Sequence, residues 1–184
     1  MSGTIERIDG RMVYENAWIR VREDRTRRPD GTEGIYSVVE KPPFAVILPL
    51  HDDGTVEMVE QYRYPLGARR LELPQGALPD HHDDDPEAIA ARELAEETGL
   101  RADRWVDLGP LDAMAGLTDQ TYHGFLATGL TQGDAALEDT EGDLARRRVA
   151  LADLKALILD GTVRDAHSVA TVAMAAWRGL LPGW

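Results

Sequence analysis

The sequence contains no cysteine, which excludes disulfides, zinc–thiolate sites and cysteine nucleophiles from its chemistry. No apolar run approaches the length of a membrane span, and the N-terminal residues are too polar for a secretory signal, so the expected location is the cytoplasm. Positive charge is in deficit, with 20 Lys and Arg against 33 Asp and Glu and a net charge of −13. Phosphate backbones and anionic membrane surfaces require a basic face, so neither nucleic acid nor membrane is an expected partner, and a phosphate substrate would need cations gathered locally. There is no internal repeat and no low-complexity segment. With 184 residues, 43% of them hydrophobic and 29% charged, the chain fits one globular domain with a small N-terminal addition and enough length to bury a core.

Residues 14–26 read as an alternating strand around Trp18, Ile19 and Val21, with Pro29-Asp30-Gly31 as a turn and Ile35 to Glu40 as a returning strand. Together they predict a small N-terminal β-meander ending at Lys41-Pro42-Pro43. The continuous apolar run from Phe44 to Leu50 reads as a buried strand, and His51-Asp52-Asp53-Gly54 as the turn into a strand from Thr55 to Tyr64. Short strands are expected at Trp105 to Leu108, Tyr122 to Thr128 and Ala145 to Leu151, with a loop over 129–140. Leu151 to Asp160 and Ala166 to Leu180 read as helices. Strands and helices in this order imply an α/β core with a mixed β-sheet between helices.

The stretch that carries chemistry follows Gly76. Asp85-Pro86 is a helix start and Gly99 a helix stop. On the helix between them Glu93 lies three and four residues from Glu96 and Glu97, so three carboxylates share one face. Like charges at that spacing repel, and Arg92 neutralises at most one. Crowded hard oxygens suit Mg²⁺ or Mn²⁺ acting on a phosphate-bearing substrate; the plain alternative is a solvated acidic helix face. Upstream, Arg63, Arg69 and Arg70 offer planar guanidinium groups suited to phosphate oxygens, with surface charge as the plain reading of the last two. The run His81-His82-Asp83-Asp84-Asp85 reads as a solvated helix entry.

Gly76, Arg92, Glu93, Leu94, Glu96, Glu97, Gly99 and Leu100 resemble the Nudix box, Gly-x5-Glu-x7-Arg-Glu-U-x-Glu-Glu-x-Gly-U with U aliphatic. The second half matches at every specified position. The first half departs: Asp84 stands where the pattern has Glu, and Gly76 is two residues early, so the loop from Ala77 to Asp84 is expected to bulge. The resemblance implies a Nudix α/β/α sandwich, with Glu93, Glu96, Glu97 and the backbone carbonyl of Gln75 as metal ligands. The segments 14–21, 61–65 and 71–76 resemble the ADP-ribose pyrophosphatase branch. By that resemblance Arg63 and Glu72 line the diphosphate pocket, and the N-terminal segment helps form a homodimer. Trp18, otherwise an apolar anchor, would stack on the base, and a loop glutamate outside the box would act as base or extra metal ligand.

Counting from Val149-Ala150-Leu151 places that glutamate at Glu141, with Glu138 and Asp143 beside it and Glu96 the next candidate base. The activity implied is Mg²⁺-dependent hydrolysis of a nucleoside diphosphate linked to another moiety, foremost ADP-ribose. Ala115 and Gln120 depart from that specificity, since Pro and Glu are common at those places, which keeps GDP-mannose or another nucleotide sugar as an alternative. A non-catalytic sensor of a nucleotide metabolite is a further class, although such modules usually lose box carboxylates that stand here. Isopentenyl diphosphate isomerase shares the fold but needs a cysteine. The division expected is 1–43 as the N-terminal strand segment and 44–184 as the hydrolase domain.

Overall fold

Three antiparallel strands, β1 (Glu6–Glu15), β2 (Arg20–Arg27) and β3 (Glu33–Glu40), open the computed structural model, which describes residues 3–77, 85–133 and 143–184. After Lys41-Pro42-Pro43 come β4 (Phe44–Pro49), β5 (Thr55–Arg63), β6 (Ala68–Glu72), β7 (Gln75–Gly76), α1 (Pro86–Thr98), β8 (Leu100–Asp112), β9 (Thr121–Gln132), β10 (Ala145–Ala150), α2 (Leu151–Leu159) and α3 (Ala166–Trp177). They form three sheets in the orders β1-β2-β3, β10-β5-β6 and β7-β4-β9-β8.

β4 explains the layering. It runs parallel to β9 and antiparallel to β7, so it is flanked on both edges and buried on both faces, the situation in which a strand is apolar throughout. Successive side chains point to opposite faces. Ala45 and Ile47 join Ile89, Ala90 and Leu94 of α1 in one apolar cluster, with Leu100, Phe125 and Ala127. Val46 and Leu48 join Leu154 of α2 and Val172 and Ala175 of α3 in the other. One strand thus serves two cores, and the α/β/α sandwich with its mixed sheet and N-terminal meander is the architecture seen. No helix among the described residues is long and apolar enough to cross a membrane.

The N-terminal sheet departs from the sequence expectation at Trp18. The stretch 14–26 is not one strand: it breaks at a turn, where the Asn16 Oδ1 accepts the backbone N–H groups of Trp18 (2.8 Å) and Ile19 (2.9 Å). An Asx-type turn of this kind offers the backbone an alternative to the ladder. β1 was not legible either, because nearly all of its residues are exposed and its few apolar ones, Ile8, Met12, Val13 and Tyr14, are set among charged residues and a glycine. Its pairing rests on the ladder to β2 and on ion pairs such as Arg7–Asp24 (2.9 Å) and Arg11–Glu23 (2.9 Å). β8 and β9 are likewise longer than expected, forming one antiparallel pair with a register shift between Asp107 and Pro110, and part of the expected loop, 129–132, belongs to β9.

The sheet β10-β5-β6 buries a charge. Glu57 is 1% exposed and its carboxylate accepts from Arg146 Nε (2.9 Å) and Arg148 Nε (3.2 Å), with His51 Nε2 at 3.1 Å. The three successive arginines expected to expose β10 all reach across the ladder to β5, Arg146 and Arg148 to Glu57 and Arg147 to Glu60 (3.2 Å). Burial alone would raise the Glu57 carboxyl above its ordinary 4.5, but hydrogen bonds and charge from Arg146, with His51 and Arg148, bring it below. A carboxyl lowered in the folded state adds stability above its unfolded value and loses it as pH falls through the folded one. Glu57→Gln should therefore cost about 1–3 kcal/mol near pH 7. The deficit should shrink in urea titrations taken down to about pH 4; a deficit undiminished in acid would place its origin in packing rather than charge.

Candidate active site

α1 begins and ends where its sequence says it should. The Asp85 carboxylate accepts the Glu87 N–H (3.3 Å), Pro86 takes the first helical position, and Gly99 adopts a left-handed φ of 70° while its N–H donates to the Ala95 carbonyl (2.9 Å). Because Ile89, Ala90 and Leu94 are committed to the core, the helix can rotate no further, and Glu93 and Glu97 are carried to its inner edge. Glu93 is 7% exposed and Glu97 2%. Glu96 lies a step round the helix, more open, with its Oε1 accepting from Arg92 Nε at 2.8 Å; Arg92 therefore orients Glu96.

The two buried carboxylates face the short strand β7. Pairing of Ala45 with Gly76 and Val46 with Gln75 holds that strand against β4. The Gln75 N–H donates to Glu97 Oε2 at 3.1 Å. A Cβ built on Gly76 would lie 2.1 Å from Glu93 Oε2 and 2.5 Å from its Cδ, so glycine is required here for the close approach of a carboxylate to backbone.

On the other side of Gln75 stands the pair expected from the sequence. Arg63 Nε and Nη2 donate to Glu72 Oε2 at 3.0 and 2.6 Å. Burial alone would lower the Arg63 guanidinium, but hydrogen bonding to Glu72 and the charges of Glu72, Glu97 and Asp165 raise it, so it stays cationic. The Gln75 side-chain amide spans Glu72 (3.1 Å) and Asp165 (3.2 Å). Asp165 caps α3 by accepting the Ser168 N–H and hydroxyl, both at 2.8 Å, while Ser168 Oγ accepts the Leu73 N–H. Burial would raise the Asp165 carboxyl, but His167 and the two Ser168 donors hold it well below the usual carboxylate range.

These groups open on a cleft of about 570 Å³. Arg63, Glu72, Gln75 and Gly76 line it together with Phe44, Met114, Gln120 and His167, and the ring of His167 packs edge-on against Phe44 and Tyr122 at about 5 Å. A second cleft of about 320 Å³ lies beside it, lined by Trp18, Arg20, Glu40, Asp119 and Thr121; Lys41 lines both. Trp18, 62% exposed, belongs to this second cleft and not to the carboxylate one.

Arg69 stands apart from this cleft. β6 alternates, so Glu72 shares its face with Arg70 and, across the ladder, with Arg63's neighbourhood, while Arg69 points the other way. There it donates to Glu60 Oε1 (2.8 Å) and Asp143 Oδ2 (2.9 Å), and it lines neither of these clefts. Asp143, one of the loop acids considered as base, is engaged in that pair. Glu138 and Glu141 lie outside the described residues, as do Asp84 and the expected bulge of the box loop. Lys41, Asp165 and His167 were missed, while Gln120, noted in the sequence for substrate specificity, does line the cleft. Asp165 had a legible signal as a helix cap, Asp-x-x-Ser, but nothing in the sequence said that the cap would face a cleft.

Among the described residues no three His, Asp or Glu side chains form a ready-made cation cage. The donor set nevertheless fits a hard divalent ion, because such an ion is commonly held by one or two carboxylates, waters and substrate phosphates rather than by an all-protein cage. Glu93 and Glu97 would supply the carboxylates, Glu93 lying where a Cβ at position 76 would otherwise stand.

Residues 41–172 match the family described as the NUDIX domain, and residues 5–39 match the nucleoside diphosphate sugar hydrolase N-terminal domain. The chain is similar to the ADP-ribose pyrophosphatase of Mycobacterium tuberculosis, 34% identical over 168 residues that cover 91% of this chain and 81% of that protein. It is also similar to the ADP-ribose pyrophosphatase of Bacillus subtilis, at 30% identity over 85% of this chain and 84% of the other. Among solved structures it superposes on an ADP compounds hydrolase with a TM-score of 0.82 over 97% of both chains, at 19% identity; that likeness speaks for the fold. Hydrolases of this kind act on nucleoside diphosphate compounds and generally require a divalent metal. With the box helix in place and a family match across most of its length, the chain belongs to the Nudix family of hydrolases.

Proposed function

We propose that this protein is a Mg²⁺-dependent ADP-ribose pyrophosphatase of the cytoplasm, active as a homodimer, that converts ADP-ribose to AMP and ribose 5-phosphate. The observation that carries the reading is one cleft lined by Gly76, Gln75 and the Arg63–Glu72 pair, with the buried carboxylates of Glu93 and Glu97 set against the backbone of that same Gln75-Gly76 strand. Glu93, Glu97, Glu96 and the Gln75 carbonyl would hold the cation. When bound, it would offset phosphate charge and make a coordinated water more acidic.

The chain's own groups do the rest. Glu72 takes up Nε and Nη2 of Arg63 and so orients the guanidinium, leaving Nη1 as a donor for a phosphate oxygen. Glu141 takes a proton from the water that attacks one phosphorus; the bond from that phosphorus to the bridging oxygen breaks, and the departing phosphate leaves with that oxygen. Trp18 receives the base in the adjoining cleft. The working division is 1–43 for dimerisation and substrate contact and 44–184 for hydrolysis. Arg69 has no part in this reading.

The match of residues 5–39 to the N-terminal domain of nucleoside diphosphate sugar hydrolases favours a second substrate class, nucleotide sugars such as GDP-mannose. A hydrolysis panel of ADP-ribose, ADP-glucose, GDP-mannose, dinucleoside polyphosphates and nucleoside triphosphates, with products identified by chromatography and protein mass by light scattering, tests both. ADP-ribose should have the highest kcat/KM, excess chelator should abolish turnover, and Mg²⁺ or Mn²⁺ should restore it. Full turnover in chelator would overturn the metal assignment, GDP-mannose as the better substrate would move the reading to nucleotide sugars, and a monomer would remove the dimer.

A further inference from the structure

We infer that Lys41 is a substrate-binding residue that holds the diphosphate where the Trp18 cleft meets the carboxylate cleft. The inference rests on the reading of a nucleoside diphosphate substrate given above and adds a residue that neither the box nor its flanking segments name.

Four observations converge on it. Lys41 lines both clefts, so a ligand that reaches from one to the other passes its side chain. It is one of only two lysines in a chain of net charge −13, and a dianionic group entering between Glu40, Glu72, Asp119 and Asp165 needs a positive counterpart. The arginines near that path are already matched by carboxylates: Arg63 by Glu72, Arg22 by Asp24 and Glu40, and Arg20 by Glu15 at 3.3 Å and Glu40 at 3.7 Å. Lys41 has no hydrogen bond or ion pair to any described residue. Among the described residues its ammonium is therefore a cation not committed to any carboxylate, and it stands where the two clefts meet.

The backbone at Lys41 is also pre-set. A residue before proline is steered to extended conformations, two prolines follow, and the Pro42 carbonyl accepts from Gln120 Nε2 at 2.6 Å. The segment ties the N-terminal sheet to β4, whose first residue, Phe44, forms a wall of the carboxylate cleft. A flexible side chain on a fixed base suits a point charge that follows a diphosphate, as ammonium groups do in phosphate sites.

Lys41→Met keeps the aliphatic stem and removes the charge; Lys41→Arg keeps the charge. Steady-state kinetics on ADP-ribose should show KM raised roughly tenfold or more in Lys41→Met, the scale of a lost charged hydrogen bond, with kcat within about threefold because the contact is made in ground and transition states alike. Lys41→Arg should recover most of the affinity, and the wild-type KM should rise with salt more steeply than that of Lys41→Met. Calorimetric titration with ADP in Mg²⁺ gives the same comparison without turnover, so it separates this inference from the choice of substrate. If ADP-ribose is not hydrolysed but ADP binds and Lys41→Met weakens it, the substrate reading fails and Lys41 stands. KM and ADP affinity within twofold of wild type in Lys41→Met, or no ADP binding by the wild type, would overturn the inference.

Discussion

Replacing Glu97 by Gln is expected to lower kcat at least about a hundredfold, the loss typical when one electrostatic element of a transition state is removed, while the melting temperature holds or rises. The two effects have separate causes. Glu97 is 2% exposed and already receives the Gln75 N–H at 3.1 Å, and Gln is nearly isosteric, so packing and one acceptor oxygen survive. What disappears is a negative charge lodged one helical turn from Glu93, where like charges destabilise the helix by a few tenths of a kcal/mol. The same charge also faces the Arg63 guanidinium and helps to keep it cationic, so the two contributions to folding offset each other. Single-turnover kinetics at saturating metal, paired with thermal melts, check this. A rate lowered only a few fold would move the catalytic cation elsewhere, and a large fall in melting temperature would make Glu97 a structural residue.

Gly76→Ala is expected to be comparably damaging although it adds one methyl group. The new Cβ would sit 2.1 Å from Glu93 Oε2, far inside contact distance, so something must shift. That oxygen is the far end of a flexible side chain, so the carboxylate yields rather than the backbone, and folding suffers little. Catalysis is less forgiving: displacement of a site group by about 1 Å costs on the order of a hundredfold. Gly76→Ala should therefore show a kcat lowered about a hundredfold with a raised metal requirement, read from activity titrated with Mg²⁺, and near-wild-type thermal stability. Normal activity in a folded Gly76→Ala protein would show that Glu93 works from another rotamer and that the close approach has no catalytic meaning.

Much of the site was legible because it is local. A helix that starts at Asp85-Pro86 and stops at Gly99 dictates, through its 3.6-residue period, that Glu93 and Glu97 lie together, and no tertiary information is needed for that step. The apolar run of β4 likewise announced a strand buried on both faces, and the acid excess with no cysteine removed whole classes of chemistry. The strand period could also have separated Arg69 from Glu72, since residues three apart on a strand face opposite ways; treating the arginines as one basic run hid it.

Other features depended on the fold because their partners are remote in the chain. Asp165 is 90 residues from Gln75, yet their side chains meet at 3.2 Å, and a helix cap looks the same in sequence whether it faces solvent or a cleft. The burial of Glu57 follows from Arg146 and Arg148 arriving on β10, which an exposed-looking Arg-Arg-Arg run does not declare. β1 is exposed along nearly its whole length and exists through backbone pairing with β2. The sequence alone determined the family, the carboxylate helix and the buried strand, because those rest on residues within one or two turns of each other. Only the tertiary structure decided which cations are matched by carboxylates, that Trp18 and the Arg63–Glu72 pair stand in separate clefts, and that Lys41 lines both, because charge pairing and cavity shape arise where distant segments meet.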